Sequence, residues 1–158
     1  MAYVLAITGD ELDSGIFGEI HVHDSIADQN IATGASYTKL TTFTDNGFSA
    51  NCTPDQANNK ITLTVPGRYR IEGAFSFSSG TANVEWFGGL FLDSVEQGNI
   101  HWTRKVSTAG DVGNANFTGI IEVYTVPIDI DVRVRHDNGG SIDIQVSYAN
   151  LNCSYEGK

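Results

Sequence analysis

The 158-residue sequence predicts an all-β fold, a sandwich or barrel of antiparallel strands, on three observations. Apolar and polar residues alternate at period two in run after run, and no window carries the 3.6-residue period of a helix. Seventeen glycines punctuate the chain with turns. Thr, Val, Ile, Phe and Tyr, the residues that suit a pleated and half-buried surface, are abundant. The length suffices for one domain with its own core and is short for two.

The core is expected to centre on Lys60–Ser79. Ile61, Leu63 and Val65 share one face of a strand; Tyr69, Ile71, Gly73, Phe75 and Phe77 share one face of the next. Pro66-Gly67 between them reads as the turn of a hairpin. Before this stretch, residues 1–15 hold an apolar patch from Tyr3 to Ile7 and then an acidic segment. They read as an arm ahead of a single domain over 16–158, or equally as a first strand. Gly18 to Asp24 places Ile20 and Val22 on one face and His21 and His23 on the other. Ser36 to Thr44 is a weaker strand, and Asn51 to Lys60 a loop.

Further on, Val84, Trp86, Gly88, Leu90 and Leu92 alternate, with Phe87 and Phe91 on the opposite side. A strand apolar on both faces is covered on both. Ile100 to Lys105 follows a polar turn, and Ser107 to Asn116 is a loop. Phe117 to Val126 begins another strand. Ile128, Ile130, Val132 and Val134 then alternate with Asp129, Asp131, Arg133 and Arg135, which read as a solvated face with cross-strand charge pairs. The turn Asp137-Asn138-Gly139-Gly140 is a strong hairpin signal, after which Ile142, Ile144, Val146 and Tyr148 return in step. The parity changes to Leu151 and Cys153, so a bulge is expected at Ala149-Asn150.

The formal charge of −10 and the pI near 4.5 argue against a nucleic-acid partner, which would demand a basic patch. No apolar run approaches the ~20 residues that span a bilayer, so no membrane insertion is expected. The N-terminus lacks the basic region of a secretory signal, which implies synthesis in a cytoplasm without export. In that reducing setting Cys52 and Cys153 read as free thiols; a bond between them would staple a late strand to an early one.

Gly67-x-Tyr69-x-Ile71 resembles the Gly-x-Tyr-x-Phe signature of the jelly rolls of complement C-one-q and tumour necrosis factor, with Ile71 in place of the aromatic residue. GEIHVHD, PGRYRIEGAFSFSSG, RKVSTAGDVG followed by TGII, DVRVRHDN and YANL, in that order, resemble small bacteriophage virion proteins carrying such a head. The resemblance runs from about Gly18 to Tyr155. It implies a TNF-like jelly roll of ten strands assembled as a tight homotrimer. Phe87, Phe91 and Tyr148 are then candidates for the trimer interface, since obligate interfaces resemble a core cut in half. Burial between the two sheets of one subunit is the competing explanation for the doubly apolar strand.

Chemistry is sparse. His21-x-His23 is a weak candidate metal pair, lacking the Glu and the later His that a cupin-type site requires. Asp10, Glu11 and Asp13 lack calcium-loop spacing. No nucleophile elbow, phosphate loop or Cys-x-x-Cys pair is present, so neither an enzyme nor a cofactor is expected. Trp102, in the polar run HWTRK, is the candidate for an exposed ligand contact.

The expected function is that of a phage virion structural protein. A homotrimeric capsid decoration, or cement, protein would bind the major capsid protein or another virion protein through Tyr3, Val4, Leu5 and Ile7 of the arm. The alternative is a fibre or spike head, or another module that recognises a host receptor or glycan through Trp102 and its loops. A fibre would carry a shaft, for which these residues leave no room.

Overall fold

A computed structural model describes residues 15–32, 34 and 36–158. Apart from Gly15, the expected arm, with Tyr3, Val4, Leu5 and Ile7 and the acidic residues Asp10, Glu11 and Asp13, lies outside these residues. Twelve strands follow in order: β1 (Phe17–Val22), β2 (Asp28–Ile31), β3 (Thr38–Lys39), β4 (Asp45–Asn46), β5 (Cys52–Asp55), β6 (Lys60–Leu63), β7 (Gly67–Ser79), β8 (Val84–Leu92), β9 (Val95–Val106), β10 (Val112–Val123), β11 (Ile128–His136) and β12 (Ile142–Gly157). The loop expected before Lys60 thus contains β5 and a short 3₁₀ turn, Gln56–Asn58. Of the strand expected over Ser36 to Thr44, only β3 pairs, although Leu40 and Phe43 are buried. The loop expected to Asn116 ends where β10 begins, at Val112.

The strands form two six-stranded antiparallel sheets. A terminal sheet, holding the first and last strands, runs β10-β7-β12-β1-β4, with β2 beside β12. The opposing sheet runs β5-β6-β11-β8-β9, with β3 beside β11. From β6 onward every connection except β8–β9 crosses between the sheets, which is the winding of a double-sheet jelly roll.

The alternation expected in the central stretch holds, but its pairing does not. Ile61, Leu63, Tyr69, Ile71, Phe75 and Phe77 are all buried. β6 nevertheless pairs with β5 and β11, and β7 with β10 and β12. Pro66-Gly67 therefore carries the chain from one sheet to the other rather than closing a hairpin. The Asp137–Gly140 turn does the same, since β11 pairs with β8, β6 and β3 while β12 pairs with β7, β1 and β2. Hairpins close instead between β5 and β6, with Asp55 opposite Lys60, and at Asp93-Ser94, both at positive φ (40° and 74°), with Leu92 opposite Val95.

The bulge in β12 lies between Val146 and Tyr148, upstream of the expected position, and a second lies between Tyr155 and Gly157. The first moves Tyr148 off the core face and hands that face to Ala149, Leu151 and Cys153. Between the sheets, Phe75, Phe77, Trp86 and Trp102 form an aromatic cluster within one continuous core.

Candidate functional site

The sandwich presents two outer faces of different chemistry. On the terminal sheet, Ala74, Ser76 and Ser78 of β7, Asn114 and Asn116 of β10, and Tyr148 and Asn150 of β12 form an outward patch, bordered by Glu72, which lies between Thr118 and Asn152. Within the patch no residue carries a charge. Asn150 Oδ1 accepts from Ala74 N at 3.1 Å, and Ser76 Oγ donates to Asn114 Oδ1 at 2.8 Å. A shallow trough of about 530 Å³ runs over them, bounded by Glu19, His21, His23 and Tyr148. Tyr148 is 44% exposed, and its hydroxyl donates to Asp24. That bond pushes the phenol above its ordinary range. His23 packs edge-on against Tyr148, with ring centroids 5.0 Å apart, and its Nδ1 lies 3.1 Å from Asp24 Oδ2.

His21 and His23 both border this trough, as their shared parity predicts, but each faces a different carboxylate. His21 Nδ1 is 3.9 Å from Glu19 Oε1, beyond hydrogen-bond range. Among the described residues no three His, Cys, Asp or Glu side chains gather as a metal site.

Along β11 the opposing sheet's outer face carries the expected cross-strand charge pairs, Lys60 with Asp129 and Lys39 with Asp131, but is only partly solvated. Asp131 is buried, held bidentately by Arg133 (2.7 and 3.1 Å) with Lys39 Nζ 3.6 Å away. Asp129 accepts from Lys60 Nζ at 2.7 Å and Thr62 Oγ1 at 2.6 Å. Burial alone would raise the Asp129 carboxyl, but these two donors outweigh it and hold it below the usual carboxylate range.

The second apolar face of β8 is covered by residues of the same chain. Arg135 lies 4.0 Å from the Phe87 ring centroid and Arg133 4.7 Å from that of Phe91. Tyr37 packs edge-on to Phe91 at 5.2 Å. The register explains this arrangement: Arg133 stands opposite Gly89, leaving its guanidinium free to lie diagonally over Phe91. Phe87 and Phe91 thus occupy the face opposite to that of Tyr148, and the three expected interface residues do not share one surface.

Trp102 is not an exposed contact. It is 6% exposed and packs against Phe75 and Phe77, over Gly88 opposite it in β9–β8 pairing. A Cβ on Gly88 would come within 2.1 Å of the indole, so glycine makes the space for it. The signal was present in the Ile100-x-Trp102 spacing, which puts Trp102 in register with a core residue despite its polar neighbours. Among the described residues, the large exposed apolar side chains outside the strands are instead Ile26, Phe48 and Tyr124.

No family model and no curated protein sequence matches the chain. Its fold is similar to the globular domain of zebrafish complement 1qA protein, at 15% identity and a TM-score of 0.60, covering 91% of this chain and 98% of that one. It is also similar to Eiger TNF from S. frugiperda, at 9% identity and a TM-score of 0.51, covering 90% and 94%. A third likeness is to the VP2 protein of infectious bursal disease virus, at 8% identity and a TM-score of 0.56, covering 88% of this chain and 31% of that one. The fold class is therefore an all-β TNF-like jelly roll.

Proposed function

We propose that the chain is a structural protein of a bacteriophage particle, a homotrimeric jelly-roll head that decorates and stabilises the capsid shell. The phage assignment rests on the sequence resemblance, and the fold likeness to a viral capsid protein supports it. One observation carries the assembly half of the reading. A chain of net charge −10 repels its own copies, yet the patch of Ala74, Ser76, Asn114, Asn116 and Asn150 on the outer face of the terminal sheet carries no charge and is built of small side chains. Such a face lets a second copy approach without burying an unpaired carboxylate. We place the subunit contact there, with Tyr148 at its edge. Phe87 and Phe91 are already capped by arginines. On this reading the chain acts mechanically, without catalysis, cofactor or nucleic acid, and resides in the virion with residues 1–15 against the shell.

Light scattering on the full chain tests the assembly, with an expected mass about three times the 17.0 kDa of one chain. A monodisperse monomer overturns it. Co-sedimentation with empty shells of the parent phage tests the partner. Binding is expected for the full chain and lost on removal of residues 1–15, and absence of binding by the full chain refutes decoration.

Phe48 and Tyr124, 85% and 77% exposed, favour a second reading as a head that binds a host receptor or glycan. Glycan-array binding that disappears in Phe48→Ala or Tyr124→Ala would select it.

A further inference from the structure

Cys52 opens β5 in the opposing sheet, and Cys153 lies near the end of β12 in the terminal sheet. Both are free and buried, and their Sγ atoms face each other at 3.7 Å across the sandwich. Nothing separates them. Gly18, opposite Cys153 in β1, would carry a Cβ only 3.1 Å from Cys52 Cβ and 3.5 Å from Cys153 Sγ, so its missing side chain leaves the two sulfurs in contact. A pocket of about 220 Å³ opens on the Cys153 side of the pair, with Phe17, Gly18, Phe48, Arg70 and Cys153 in its wall.

We propose that Cys52 and Cys153 form a redox-controlled staple, a disulfide made between the two sheets when the protein meets a peroxide or a comparably oxidising medium. The sulfurs need to close by roughly 1.7 Å to reach the ~2.05 Å bond length. The thiols differ in readiness. The hydrogen bond from Cys153 pulls the Cys52 thiol down against the effect of burial, while the same bond and burial push Cys153 up. Cys52 is therefore the first to ionise. Its thiolate attacks a peroxide oxygen; the O–O bond breaks, Cys52 becomes a sulfenic acid, and one water leaves once protonated. The Cys153 sulfur then displaces hydroxide from that sulfenic sulfur, and its own proton completes the second water. Two thiols are oxidised by two electrons, and one hydrogen peroxide is reduced to two waters.

The bond would join positions 101 residues apart, a loop long enough for its closure to restrict the unfolded chain strongly. The test treats the full chain with hydrogen peroxide and, separately, with a phosphine reductant. Intact mass should fall by about 2 Da, and peptide mapping should find Cys52 joined to Cys153 within one chain. The melting temperature should rise by roughly 5–15 °C over the reduced protein. Cys52→Ala and Cys153→Ala should each show no difference in melting temperature between the two treatments. Mass gains of about 16 or 32 Da without the 2 Da loss, or a cross-link between chains, would overturn the proposal. A cross-linked protein that melts with the reduced one would overturn it as well. If either variant fails to fold, the peptide map of the parent protein decides.

Discussion

The two outer faces of this sandwich are both built from antiparallel strands, yet they are finished in opposite ways. The opposing sheet closes its own surface: Arg133 and Arg135 lie over Phe91 and Phe87, and Asp131 is satisfied by Arg133 and Lys39. The terminal sheet leaves Ala74, Ser76, Asn114, Asn116 and Asn150 uncovered and uncharged. A face that already satisfies its charges and covers its rings gains little from a partner. A face of small neutral groups loses little desolvation energy when one arrives. Apolar residues on both sides of a strand are thus a poor guide to an interface when arginines stand on the next strand.

The largest expected effect lies on the uncovered face. Ala74→Glu places a carboxylate in the proposed subunit contact, where like charges meet at a cost of several kcal/mol, and should reduce the solution mass to that of one chain. Phe87→Ala should leave the mass unchanged. The reverse pair of results would move the contact to the opposing sheet.

On the closed face, Asp131→Ala strands Arg133 and Lys39, which are only partly exposed. A loss of about 2 kcal/mol is expected, read as a fall of roughly 4–8 °C in melting temperature. An unchanged melting temperature would show that the buried carboxylate is not what holds this surface together.

The smallest effect belongs to Asp129. Its folded-state pKa lies below the unfolded value, so its contribution is present at pH values above the unfolded value of about 3.9 and is lost as pH falls through the folded one. Asp129→Asn should lower the melting temperature slightly at pH 7, where the contribution is present, and converge with the parent as pH falls below about 4, so that its decline in acid is flatter. A decline as steep as the parent's would assign acid sensitivity to other carboxylates.

Much of the fold was legible because period two is a local property. The buried set on β7, Tyr69 to Phe77, is the set its alternation names. Which strand lies beside β7 is not local. Asn138-Gly139 and Pro66-Gly67 have the composition of hairpin turns but join strands of different sheets, while the hairpin at Asp93-Ser94 has no glycine. A turn fixes the chain's reversal, and partner choice depends on which faces the two sheets must bury together. The candidate site was less legible. Alternation puts His21 and His23 on one face, as observed, whereas the polar neighbours of Trp102, which point outward from an edge strand, disguise its place in the core. The exposed Phe48 and Tyr124 carry no periodic signal, lying outside the strands.

By itself the sequence determined the strand class, the faces and most of the core, because side-chain alternation and turn chemistry act over two to four residues. Only the tertiary structure decided that Arg133 and Arg135 would cover Phe91 and Phe87, that Gly88 would make room for Trp102, and that Cys52 would meet Cys153 across the sandwich. Each of these joins residues brought together by strand pairing or by the stacking of the two sheets. No local pattern along the chain encodes such a meeting.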